Sequence, residues 1–152
     1  MNPADPTSAA PSPTLTRRIR FRASHAYGRD EWDSARNRAT FGDQLRPHEH
    51  DWVVEATVAG ALDPDTGWVV DLAELDGALE EIRGRLAGRD VREAVPEHFG
   101  PGARQPSTEE LARWVWSTLA DRLQGEVSLA RVRVAESDDL WAECVAQTGG
   151  TR

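Results

Sequence analysis

The alternation of residues 48–60 constrains this chain more than any other feature. In a β-strand successive side chains point to opposite faces, so residues two apart share a face. Here His48, His50, Trp52, Val54, Ala56 and Val58 fall on one side, and Glu49, Asp51, Val53, Glu55 and Thr57 on the other. Such a separation fits a strand with one face in a core. Two histidines extend the apolar face at its start. A His-x-His pair on a strand commonly supplies two nitrogens to one zinc ion, although two surface histidines close in sequence are also frequent.

A second segment, Arg18 to His25, alternates in the same way. Ile19, Phe21, Ala23 and His25 share one face, and Arg18, Arg20, Arg22 and Ser24 the other. If the two strands pair antiparallel, the end of the first lies beside the start of the second. His25 then falls next to His48 and His50 on the same side of the sheet. Three imidazoles at the rim of an apolar face match the ligand count of a catalytic zinc with an open position. The arginines, Arg17 included, read as one solvated strand face. A formal net charge of −8 argues against a general nucleic-acid binder.

Residues 26–47 read as a long loop broken by Gly28, Gly42 and Pro47, and loops of that length are often functional. Asp63-Pro64-Asp65-Thr66-Gly67 is turn chemistry. Asp71 with Glu74 forms a capping box opening an amphipathic helix marked by Leu72, Leu75, Leu79, Ile82 and Leu86. Residues 87–106 read as a second long loop. Ser107 with Glu110 opens another helix to about Leu123, with Leu111, Val115, Leu119 and Leu123 facing the core and Trp114 and Trp116 as packing or interface residues. Strands over 127–136 and 140–146 close the chain. Glu136 continues the face of Val132 and Val134, where an acid is either solvated at the strand end or anchors a ligand. The expectation is an α+β fold, β-β-α-α-β-β and antiparallel, with two helices on one sheet face. Its two open edges invite pairing between subunits.

A chain of 152 residues suffices for one sizeable core. The expected organisation is a disordered leader over 1–15, rich in Pro, Ala, Ser and Thr, a single domain over 16–147, and a short tail over 148–152. The leader lacks the basic start and apolar run of a signal peptide. No stretch approaches the length of a membrane-spanning helix. The single cysteine, Cys144, excludes an intrachain disulfide and suits the reducing cytoplasm. In the last strand it reads as an inert core thiol.

These motifs resemble the 6-pyruvoyltetrahydropterin synthase / 6-carboxytetrahydropterin synthase family, of the tunnelling fold. The resemblance runs from Arg18 to Cys144. It rests on Phe21-Arg22-Ala23-Ser24-His25, Phe41-Gly42, and His48-Glu49-His50 where the family usually has His-Gly-His. Asp63 to Leu75, Ser107-Thr108-Glu109-Glu110-Leu111-Ala112 and Val132-Arg133-Val134-Ala135-Glu136-Ser137 complete it. By this resemblance His25, His48 and His50 are the three zinc ligands, and Glu136 is the glutamate that grips the guanidine-like edge of a pterin. Thr108, with Ser107 and Glu109, lines the pterin pocket. The resemblance also implies a homo-oligomer, a trimer or hexamer, in which sheets join into a barrel with sites at subunit boundaries.

The chain departs from the family pattern at the proton-transfer residues. Where the family commonly carries a catalytic cysteine this chain has Gln44, whose amide has no useful pKa but could hydrogen-bond a substrate. Where the family places an Asp-His pair, the run is Leu86-Ala87-Gly88. Asp43, beside Gln44, and His98, in the second loop, are the candidate replacements. Asp90 is a weaker one, His98 also reads as an exposed loop histidine, and Glu49 should point away from the site. The reading is a zinc-dependent carbon–oxygen or carbon–carbon lyase acting on a reduced pterin or similar heterocycle. The alternatives are a paralogue running another zinc-dependent elimination, cyclisation or hydrolysis on a non-pterin molecule, or a catalytically silent zinc- or ligand-binding protein.

Overall fold

The two alternating segments pair as their faces require. In the computed structural model, which describes residues 11–123, 125 and 127–147, β1 (Thr14–His25) runs antiparallel to β2 (His48–Ala59), with His25 opposite His48 and Phe21 opposite Trp52. Between them lie α1 (Ser34–Phe41) and a 3₁₀ turn (Gly42–Leu45). After β2 come α2 (Leu72–Leu86), two single-turn helices α3 (Val91–Ala94) and α4 (Pro96–Phe99), and α5 (Thr108–Arg122). Then β3 (Ser128–Ala135) and β4 (Trp141–Val145) complete a four-stranded antiparallel sheet of order β1-β2-β3-β4. Among the described residues every pairing between these strands is antiparallel, with one register shift at Thr57/Val58, and Ser24 adds an isolated parallel bridge to Asp90. The two edges expected to be open are β1 and β4.

The long helices start where their caps predict. The Asp71 side chain accepts from Ala73 N at 2.8 Å, and Ser107 Oγ accepts from Glu110 N at 3.2 Å. These bonds satisfy backbone donors that the first helical turn leaves unpaired. Both helices cover one sheet face, α2 over β1 and α5 over β3 and β4. Leu75, Leu79, Ile82 and Leu86 from α2 and Leu111, Val115 and Leu119 from α5 meet Trp52, Val54, Val58, Val132 and Val134 of the sheet in one buried cluster. Each such side chain contributes about 1.5–3 kcal/mol relative to exposure.

Three expectations need correction. The loop expected over 26–47 contains α1, which buries no residue and so lacks the apolar stripe by which a helix is recognised. The loop expected over 87–106 contains α3 and α4, seated by Val91, Val95 and Phe99, each at most 1% exposed. Their spacing of four is the helical signal, and Pro96 at the first turn of α4 divides it into two pieces. Finally, β1 begins at Thr14, so Thr14 and Leu15 of the expected leader belong to the sheet. Residues 1–10 and the tail over 148–152 lie outside the described residues. Among those described, no helix is long and apolar enough to cross a membrane.

Candidate metal centre and cleft

Antiparallel register alone brings the three histidines together. His25 is paired with His48, and Ala23 with His50, so period-two alternation puts all three imidazoles on the helix-covered face at one end of β1 and β2. One ring nitrogen from each lies within 4.8 Å of the others. A tetrahedral ion with bonds near 2.0–2.1 Å holds its donors roughly 3.4 Å apart, so closure needs shifts on the order of an ångström. Trp52 packs beneath, its ring centroid 5.2 Å from that of His25 and 5.4 Å from that of His50. Its indole N–H donates to Ala23 O at 3.1 Å.

Hydrogen bonds fix which nitrogens face inward. His25 Nδ1 lies 2.7 Å from Pro106 O, and His48 Nδ1 lies 2.8 Å from Arg46 O. A carbonyl only accepts, so each Nδ1 carries a proton and donates, which leaves Nε2 as the ring nitrogen open to another partner. Nε2 of His25 and of His50 are buried without a hydrogen-bond partner. Burial lowers the His25 pKa, the Pro106 carbonyl works against that, and the neighbouring His48 and His50 lower it further. A neutral imidazole with a bare inward nitrogen, oriented by a backbone carbonyl, is the form a divalent ion requires. The donor set therefore fits a zinc site with three nitrogen ligands and an open position.

A cleft of about 350 Å³ is lined by Tyr27, Thr40, Phe41, Gln44, Thr108, Glu109, Glu136, Leu140, Trp141 and Ala142. Tyr27 links it to the histidines, its ring centroid 5.4 Å from that of His25. Its ring also stacks on Phe41 at 5.8 Å, and Phe41 on Trp32 at 5.7 Å. Burial, then the charges of Glu136 and Glu109, push the Tyr27 phenol up to about 12, so it stays a neutral hydroxyl. Just beyond β3, Glu136 accepts a hydrogen bond from Thr108 Oγ1 at 2.7 Å. Thr108 is 4% exposed, so its hydroxyl is a fixed rather than a mobile partner.

Of the residues singled out in the sequence, His25, His48 and His50 converge, and Gln44, Thr108 and Glu136 line the cleft. Ser107 lies one residue from this lining and spends its hydroxyl capping α5. Asp43 is elsewhere. Its side chain is 94% exposed and pairs with Arg46 at 2.8 Å. His98, on α4, stands with Nε2 3.4 Å from Glu110 Oε2 and its ring against Phe99, outside the cleft lining. Asp90 caps α3 by accepting from Arg92 N and Glu93 N. Glu49 pairs with Arg22 at 3.1 Å on the far face, as its alternation predicts. Gly88 has a φ of 72° and donates its N–H to Arg22 O at 2.7 Å, a position that favours glycine. Cys144 is half-buried, and burial raises its thiol pKa, which disfavours the thiolate.

The sequence reading missed Tyr27, Thr40, Phe41 and Trp141 as cleft residues. Tyr27 had a signal, since it stands two residues beyond His25 and continues that face. Trp141 is set by the β3–β4 register, opposite Ala135, which no local pattern reveals.

Along most of its length the chain is similar to known proteins. The family model described as 6-pyruvoyl tetrahydropterin synthase matches residues 14–147. A 6-pyruvoyl tetrahydrobiopterin synthase of Drosophila melanogaster is 34% identical over 134 residues, covering 86% of this chain and 77% of the relative. A Pyrococcus furiosus protein named dihydroneopterin monophosphate aldolase is 24% identical over 126 residues, covering 83% of this chain and 91% of its own. The structure of Caenorhabditis elegans 6-pyruvoyl tetrahydropterin synthase superposes with a TM-score of 0.80 at 23% identity, over 90% of this chain and 97% of that one.

Proposed function

The chain belongs to the 6-pyruvoyl tetrahydropterin synthase family and has its tunnelling fold, and on that premise we propose that it is a zinc-dependent lyase acting on a reduced pterin. One observation carries the reading: buried, unpartnered Nε2 atoms of His25 and His50 converge with His48 beside a cleft that holds Glu136. Zinc held by the three histidines would act as a Lewis acid toward side-chain oxygens of the substrate. Glu136 would receive the adjacent ring N–H and amino groups of the pterin, a donor pair that a carboxylate meets with two parallel hydrogen bonds. Thr108 holds that carboxylate by its hydroxyl. Tyr27, Phe41 and Trp141 offer aromatic walls for a flat ring, and Gln44 an amide that neither gains nor loses a proton. A homo-oligomer, a hexamer in which β1 and β4 edges pair between copies and the sheets join into a barrel, belongs to the same proposal. So does a cytoplasmic location, consistent with a lone free cysteine.

A second reading is favoured by the placement of Asp43 and His98 outside the cleft lining. Without an evident base there, the site would serve different zinc-dependent chemistry, on a non-pterin molecule, or binding alone.

Purified protein should hold about one zinc per chain, lost in His48→Ala or His50→Ala. Incubation with dihydroneopterin triphosphate, followed by mass spectrometry, should show loss of substrate mass into a lyase product. Tight pterin binding without turnover, abolished by Glu136→Ala, would leave a binding protein. Neither binding nor turnover would leave altered chemistry, and metal-free active protein would end the zinc assignment.

A further inference from the structure

The sheet face turned away from the helices carries a second feature, separate from the histidines. Val53 of β2 and Ala135 of β3 are directly paired there, and both side chains are short. Arg18, Arg20 and Arg133 stand around them with long ones. The result is a hollow of about 100 Å³, whose lining Glu55, Ser137 and Asp138 complete. At ~30 Å³ per water this is room for about three waters, or one tetrahedral oxyanion.

The charges in this hollow are unevenly matched. Glu55, 6% exposed, receives Arg18 Nε at 2.9 Å and has Arg131 and Arg133 at 3.6 and 3.7 Å. Its charge is therefore shared by three guanidinium groups. Arg133 Nε remains buried with no hydrogen-bond partner, its guanidinium lying 4.3 Å over the Trp141 ring. Among the described residues no hydrogen bond or ion pair engages Arg20. A buried N–H on a charged group is costly to leave unpaired, and planar guanidinium donors match the oxygens of phosphate or sulfate.

We propose that this hollow is a binding site for a small tetrahedral oxyanion, received by the guanidinium groups of Arg20 and Arg133 that line it. Three arginines against two carboxylates, Glu55 and Asp138, suit a single small anion rather than a polyanion. The site is complete within one chain and lies on the opposite side of the sheet from His25, His48 and His50.

Calorimetric titration of the full metal-loaded chain with inorganic phosphate, at fixed ionic strength, tests this. Saturable binding is expected, with Kd raised at least about tenfold by Arg133→Gln and by Arg20→Gln. Arg20 is exposed, so its variant leaves the core untouched. Ala135→Leu should weaken binding as much, because it fills the hollow without changing charge. Arg22→Gln, on the same face but paired with Glu49, should change nothing. A parallel titration with glycerol phosphate names the source: equal affinity points to a phosphomonoester, weaker affinity to the free ion. Absence of saturable binding overturns the proposal. So does binding that survives all three changes in the hollow but disappears in His50→Gln.

Discussion

Trp52 sets the position of two of the three clustered imidazoles from below. It is fully buried, lies edge-on to His25 and His50, and is tied to Ala23 O. Trp52→Phe should cost about 2–3 kcal/mol, from the lost hydrogen bond and the cavity left by the smaller ring. Denaturant unfolding of the chelator-treated protein measures that cost without the metal's contribution, and zinc affinity should fall in the same variant because both rings lose their floor. Unchanged zinc affinity in a destabilised variant would mean that the floor supports the fold only. At this scale the histidines were legible because alternation and antiparallel register are local rules with one outcome. Asp43 was not. It adjoins Gln44, but successive residues of a 3₁₀ turn point about 120° apart, so Gln44 reaches the cleft while Asp43 faces solvent.

Among the elements, those with both a cap and a long periodic face could be read from the chain, and those with one signal alone could not. α5 announced itself through Ser107, Glu110 and its leucines, whereas α1 buries nothing and is defined by Asp33, whose carboxylate accepts from Arg36 N at 2.8 Å. α3 and α4 hid behind Pro96, although Val91, Val95 and Phe99 carried their spacing. Ser107 separates an element's role from a site's role. As a cap it predicts that Ser107→Ala costs about 1 kcal/mol, and that Ser107→Asp restores the stability because aspartate caps as well as serine. Thermal unfolding of the two variants checks the cap. Pterin affinity checks the site: if Ser107 contacts the ring directly, both variants bind weakly, and if it only starts α5, Ser107→Asp binds like the parent chain.

For the whole molecule, the cost of keeping His25 neutral links folding to pH and metal. Burial first, and the neighbouring imidazoles next, hold its folded pKa below the ordinary 6.5. As pH falls, the unfolded chain takes this proton before the folded one does. The stability tied to a neutral His25 is therefore complete above about pH 6.5 and drains away as pH drops from there toward the lowered folded value. Chelator-treated protein should lose thermal stability between pH 7.5 and 5.5, a range above the usual carboxylate titrations, and His25→Gln should flatten that loss. Zinc held by the three histidines as proposed would change the balance, because it would bind the folded chain alone and stabilise it by mass action. Loaded protein should then hold its unfolding temperature to lower pH than stripped protein, and release zinc where the two curves meet. A stripped chain whose melting temperature is flat across this range would mean that His25 is not the neutral buried group which the packing of β1 against Pro106 requires.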